Sequence, residues 1–230
     1  SGELSCHNID IISSKIIWKN ITDQNSKVFK QNKLFTSLFG FCIEAGAISA
    51  AFTLHECLIY YTNHISNVYA VFLDNKKAFD RLWHCGLLEK LKKLGITAKM
   101  WRIIANTHTQ SSACATCRAG ISNTFPLRKG VGQGRVMSAF LFLVYINDLL
   151  NELLTTNCGI TMNQVNIPSM FLADDTTLLS SMLNGLGILV NTAYQYAEKW
   201  KLKYNPNKSN CIIFSRKHEV YSAYAITLGL

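Results

Sequence analysis

Two short apolar runs, far apart in the chain, each end in aspartate. Val68–Leu73 (VYAVFL) leads into Asp74. Pro168–Ala173 leads into Asp174-Asp175, and Thr176–Ser181 returns. Short apolar runs of this composition read as buried strands, and the second run with its return reads as a hairpin tipped by an acidic pair. Between them, Ala78–Leu94 predicts an amphipathic helix. Leu82, Leu87, Leu88, Leu91 and Leu94 face inward, Glu89, Lys90, Lys92 and Lys93 face outward, and Gly95 ends it. Ala45–Ile65, Lys99–Thr107, Val136–Leu154 and Leu186–Trp200 read as further helices. Ser112–Cys117 and Thr124–Arg128 read as a hairpin around Ala119-Gly120, and Cys211–Phe214 as a last strand.

From residue 68, with the excursion between 95 and 130 set aside, the order is strand, helix, strand, strand, helix, strand. That is the βαββαβ order of ferredoxin-like α+β folds. In that topology the first strand lies beside the hairpin, and Asp174 and Asp175 come close to Asp74. Apolar residues make up 49% of the 230 residues, enough for a sizeable core. Lys and Arg outnumber Asp and Glu by 23 to 14. Nucleic acid is the commonest acidic partner for such an excess, and a merely basic surface is the plain alternative. The nearly apolar run Val136–Ile146 is too short to span a bilayer, so no membrane is expected. The first residues show neither a charged n-region nor an apolar h-region. A chain without a secretion signal is expected not to be secreted, and its thiols to be reduced and buried, as at Cys57 and Cys211. The chain lacks an initiator Met, as expected of a fragment or a processed piece. The lone Cys114-Ala-Thr-Cys117 lacks a second ligand pair and reads better as strand than as a zinc site.

Three carboxylates at strand ends repel one another unless a counter-charge joins them. A divalent cation supplies it. Mg²⁺ takes hard oxygen ligands, and two such ions about 4 Å apart can activate an attacking hydroxyl and stabilise a leaving group. Each aspartate taken singly has an ordinary reading: Asp175 as a turn residue, Asp74 as the cap of the following helix.

The segments around these aspartates resemble a known family. VFLDNKKAFDRLWHCGLLEKL is similar to the first palm motif of non-LTR retrotransposon reverse transcriptases, and GVGQGRVMSAFLFLVYINDLL to the second. FLADDTTLLS resembles the ADD hairpin, KWKLKYNPNKSNCIIFSRK the segment after it, and FGFCIEAGAISAAFTLHE, more weakly, a fingers motif. The match runs in order from about Leu38 to Lys217. It implies a right-hand polymerase palm on the ferredoxin-like core, with partial fingers and no complete thumb. Residues 1–67 would be an N-terminal segment with partial fingers, 68–217 the palm with inserted fingers elements, and 218–230 a short tail. The resemblance implies RNA-directed DNA synthesis from dNTPs on a primer 3′-OH, with an RNA template, a DNA primer and two Mg²⁺ ions, Mn²⁺ being a substitute. Asp74, Asp174 and Asp175 would hold the metals, with the backbone carbonyl of Asn75 as a further contact. Phe79 matches the aromatic gate against a ribose 2′-OH, and is equally a helix-face core residue. Gln133, Gly134 and Ser138 match the segment against incoming nucleotide and template, or simply a helix N-terminus with turn glycines. Lys208 matches a lysine that protonates pyrophosphate, or is a solvated loop lysine.

The sequence also departs from the family pattern. Cys42 stands where an arginine contacts the triphosphate, Arg135 replaces a small or apolar residue, and Ala139 replaces a proline. Leu172 takes the aromatic position before Ala-Asp-Asp, with Phe171 one residue earlier and so on the opposite face of a strand. These departures, and only a dozen residues after Lys217, support a second reading: an inactive retroelement remnant that at most binds nucleic acid. A different ferredoxin-like enzyme or interaction domain is the third.

Overall fold

The structure, a computed structural model, describes residues 3–6, 46–64, 66–118, 120–132 and 136–215. In chain order its elements are β1 Glu3–Cys6, α1 Ala47–Asn63, β2 Val68–Asp74, α2 Ala78–Arg81, α3 His84–Lys93, α4 Ala98–Thr109, β3 Ser112–Cys117, β4 Gly120–Ile121, β5 Phe125–Pro126, α5 Val136–Thr155, β6 Ile160–Met162, β7 Val165–Ile167, β8 Ser169–Leu172, β9 Asp175–Ser180, α6 Leu183–Lys199 and β10 Asn210–Phe214. The chain divides into two compact units, one of residues 1–34 and 79–145, the other of 35–78 and 146–230.

The second unit is built on an antiparallel sheet in the order β10-β2-β9-β8. Counted along the chain from β2, the order is fourth, first, third, second. The period-two alternation of a strand gives this sheet two distinct faces. On the front, Val68, Ala70, Met170 and Leu179 pack with Cys57, Leu54, Leu58 and Tyr61 of α1. On the back, α6 packs against β9 and β2. Its buried Leu186, Leu189, Val190, Ala193, Tyr196 and Ala197 recur at helical spacing, while Glu198 and Lys199 stay exposed.

The β6–β7 hairpin escapes the sequence reading. Its turn residues Asn163 and Gln164 both take positive φ (46° and 66°), as a type I′ turn requires. Gln164 gives no such signal. The Tyr61 hydroxyl bonds both peptide groups of Thr161, at 2.6 and 2.9 Å, and so ties this hairpin to α1.

In the first unit, the expected single helix Ala78–Leu94 is two. Trp83 is extended (φ −81°, ψ 117°) and bridges Lys129. Gly130 N–H donates to Leu82 at 2.8 Å, Val131 N–H donates to Phe79 at 2.9 Å, and the His84 ring donates to the Gly130 carbonyl at 2.6 Å. This tertiary pairing competes with the helix and wins. Gly130 has φ +89°, and a Cβ there would meet the Asp80 carbonyl oxygen at 3.1 Å, so glycine is required. Lys90, expected on the solvated face, is 2% exposed, with its ammonium 5.3 Å from the Tyr145 ring centroid. Its stem is buried and its charge faces a π system. The expected β-hairpin is a broken one: β4 pairs with the end of β3 and β5 with its start, while β1 pairs along β3 on another side.

The helix α5 runs through the division between the units. Met137–Thr155 is long and apolar enough to cross a membrane by length and composition, beyond the eleven-residue run read from sequence. It is 72% buried inside the protein, as the core helix of a folded domain is. Among the described residues Cys57, Cys85, Cys114, Cys117, Cys158 and Cys211 are thiols rather than disulfides. Cys57 is buried as expected, but Cys211, on the edge strand β10, is exposed, because only one neighbour strand covers it.

Candidate active site

The register of the sheet assembles the acidic cluster. Asp74, the last residue of β2, lies directly opposite Asp175, the first of β9, and Asp175 also lies opposite Leu172 of β8. The turn is therefore Ala173-Asp174, one residue earlier than the sequence reading, and Asp175 belongs to the strand. Ala173 turns the chain at φ 58°. Phe171 is fully buried, whereas Leu172 faces the cleft beside Asp74 and Asp175, as alternation requires. The cleft, of about 490 Å³, is floored by Phe72, Met170 and Thr177 and walled by Ala47, Ala50 and Leu54 of α1. Lys208 stands at its edge.

Backbone bonds hold β2 at this end. The Asp74 carbonyl accepts from Asn205 N–H at 2.8 Å, and Lys76 N–H donates to the Lys203 carbonyl at 2.7 Å. These two bonds flank the bridge between Asn75 and Tyr204 and leave the Asn75 carbonyl outside it. The Ser209 hydroxyl donates to Asn205 and accepts from Asp74 N–H at 3.3 Å. The turn carrying Lys208 is thus fastened to the strand carrying Asp74. The side-chain amide of Asn75 donates to the Asp174 carbonyl at 2.7 Å.

The electrostatics follow from the geometry. Partial burial, then the charges of Asp174 and Asp74, push the Asp175 carboxyl above its ordinary value of 3.8. Behind it, burial pushes the Tyr204 phenol well above its usual range, only partly offset by the neighbouring Thr176 hydroxyl. Neither hydroxyl has a hydrogen bond of good geometry. Among the described residues no three His, Cys, Asp or Glu side chains close around a single point. Asp74 and Asp175 line the cleft, and Asp175 registers the repulsion of both Asp74 and Asp174. By their chemistry, three carboxylates under such repulsion suit a hard divalent cation, which would relieve it.

The remaining residues singled out in the sequence lie elsewhere. Phe79 and Ser138 belong to the first unit. Phe79 packs on Phe142, ring centroids 5.2 Å apart. Ser138 is buried and donates to the Gly132 carbonyl at 2.6 Å, fastening the start of α5 to the glycine-rich turn. Gln133, Gly134, Arg135 and Cys42 lie outside the described residues. Sequence reasoning missed Asn205, Ser209 and the side chain of Asn75. Asn205-Pro206 is a turn signal that could have found the first two.

Residues 12–221 match the family model described as reverse transcriptase (RNA-dependent DNA polymerase). The chain is 26% identical over 215 residues to the RNA-directed DNA polymerase from mobile element jockey of Drosophila melanogaster, covering 83% of this chain and 23% of that protein. It is 31% identical over 149 residues to the probable RNA-directed DNA polymerase from transposon BS of the same organism, covering 61% of this chain and 16% of the relative. It therefore spans less than a quarter of the length of these curated relatives. Among solved structures, telomerase from Candida tropicalis, bound to a fragment of telomeric RNA, superposes with a TM-score of 0.67 at 14% identity over 86% of this chain and 33% of that one. That likeness is one of fold: mixed helix and sheet in the right-hand polymerase form. The chain belongs to the reverse transcriptase family, as a domain of the non-LTR retrotransposon kind.

Proposed function

We propose that this domain carries out RNA-directed DNA synthesis, adding nucleotides from dNTPs to a DNA primer 3′-OH on an RNA template. The observation that carries the reading is the register pairing of Asp74 with Asp175 beside the Asp174 turn, on the open end of a sheet in a chain of this family. The sheet with strand order β10-β2-β9-β8 serves as the ferredoxin-like palm, and that order is what supports the assignment.

Asp74, Asp174 and Asp175 would hold two Mg²⁺ ions, with Mn²⁺ as a substitute and the Asn75 carbonyl as a further oxygen. Bound there, the metal supplies Lewis acidity toward the attacking hydroxyl and the leaving pyrophosphate. Lys208, at the cleft edge and fixed to the Asp74 strand through Asn205 and Ser209, donates the proton that pyrophosphate takes as it leaves. The roles of Phe79 as a gate against the ribose 2′-OH, and of Gln133, Gly134 and Ser138 along the nucleotide and template, rest on the family resemblance.

Primer extension on an RNA template, with Mg²⁺ or Mn²⁺, tests the reading. Extension by the wild type that Asp174→Asn abolishes is the expected result. A folded wild type that binds RNA but extends nothing sinks it and leaves the remnant reading, for which Cys42 at the triphosphate-contact position speaks. If Cys42 weakens nucleotide binding, Cys42→Arg lowers the KM for dNTP.

A further inference from the structure

The roles assigned above use only the backbone carbonyl of Asn75. Its side chain points the other way. Alternation along β2 puts Asp74 on the front of the sheet and Asn75 on the back, where it joins Leu73, Thr176 opposite Leu73, and Tyr204 across the bridge. Asn75 is 4% exposed on this dry face. A polar side chain there is costly unless it is bonded.

The bond it makes reaches round to the acidic turn. Its Nδ2 donates to the backbone carbonyl of Asp174 at 2.7 Å, across 99 residues of sequence. A carbonyl only accepts, so the amide nitrogen must face it, and Oδ1 is turned into the interior, where it has no hydrogen-bond partner. The amide keeps this orientation at the expense of its own oxygen.

What the amide grips is a turn in need of a grip. Ala173 has φ 58° while Asp174 keeps a negative φ. That sign pattern is the one of a type II′ turn, whose first position is the place for glycine. Alanine pays a steric penalty in the left-handed region, so the tip that carries Asp174 and leads into Asp175 is not held by its own backbone preference.

We propose that Asn75 is a positioning residue: its side-chain amide clamps the Asp174 carbonyl from behind the sheet and fixes the spacing between Asp74 and the Asp174-Asp175 tip. The inference rests on the polymerase reading above for what that spacing serves, but the clamp itself is a property of the apo protein. Leucine at this position suits the dry face and has no donor.

The test uses the full chain with Asn75→Leu and Asn75→Ser. Each is followed by four measurements: amide exchange of residues 172–176 in metal-free buffer, Mn²⁺ affinity by water-proton relaxation, primer-extension kinetics for kcat and KM, and thermal melting. Release of one typical hydrogen bond speeds exchange at the tip about fivefold. Loss of a residue that orients metal ligands weakens Mn²⁺ binding about 10- to 100-fold. We expect both changes, with kcat lowered, KM for primer–template unchanged, and the melting temperature of Asn75→Leu kept. If Asn75→Leu does not fold, Asn75→Ser, whose hydroxyl is too short for the carbonyl, carries the comparison. Unchanged tip exchange and unchanged Mn²⁺ affinity in a folded variant overturn the proposal. A wild type that neither binds Mn²⁺ nor extends a primer overturns the polymerase reading, and tip exchange alone then decides the clamp.

Discussion

The front and back of the same two strands make opposite use of polar groups. At the front of β2 and β9, Asp74 and Asp175 face a cleft open to solvent, with their charges set against one another. At the back, one residue along each strand, Leu73, Asn75 and Thr176 lie in the dry interior, where the polar groups are neutral and incompletely bonded. The front leaves charged oxygens open to solvent at a cost in stability. The back leaves polar oxygens unbonded in a dry interior, one of them on the amide that holds the Asp174 carbonyl. On the proposed reading, function and stability are separated by a single step along a strand.

Substitutions on the two faces should therefore fail differently. The largest expected effect is at the turn that tips the front face: Asp174→Asn lowers extension by more than the roughly 100-fold typical for loss of an outer-shell partner, with the melting temperature unchanged or raised. A large drop in melting temperature would break the comparison. At the back, Leu178→Ala removes a fully buried side chain, opposite Val71 in the register. We expect a loss of about 2–5 kcal/mol in urea unfolding. Activity per folded molecule should be kept at temperatures where the variant remains native.

A smaller effect concerns pH. The Asp175 carboxyl lies above its ordinary value in the folded protein, so the folded state takes up that proton more readily than the unfolded one. Its contribution is unfavourable, is fully present at neutral pH, and fades as pH falls toward the ordinary carboxylate range. In metal-free buffer Asp175→Asn should therefore melt at or above wild type near pH 7, with the difference shrinking toward about pH 4. A difference that grows on acidification contradicts the sign. The smallest effect is Tyr204→Phe, which removes a poorly bonded buried hydroxyl and should change unfolding free energy by no more than about 1 kcal/mol.

Much of the front face was legible in the sequence because two signals coincided there. An apolar run stopped by aspartate marks a strand end, and two such ends in a βαββαβ order must approach one another. The exact turn was less legible, since nothing about Ala173 announces a positive φ. The back face was not legible at all. Asn75 and Tyr204 look like loop residues until the bridge between them is known. The same lack of tertiary information hid the break at Trp83 and the burial of Lys90. A helical pattern of leucines says nothing of a strand pairing at Lys129 or of a ring at Tyr145. The exposure of Cys211 is not legible either, because an apolar run does not reveal whether its strand lies in the centre of a sheet or at its edge.

The register of β2 with β9 has a consequence for how the protein folds. The first unit's segment 79–145 lies between these strands in sequence, so Asp74 meets Asp175 only after a long loop has closed. Such pairings form slowly, because the chain entropy of closure must be overcome before any contact rewards it. The acidic cluster cannot exist in a partly made chain that ends before β9. Its assembly waits on the β2–β9 pairing, so the helices, whose contacts are local, are expected to form before the acidic cluster does.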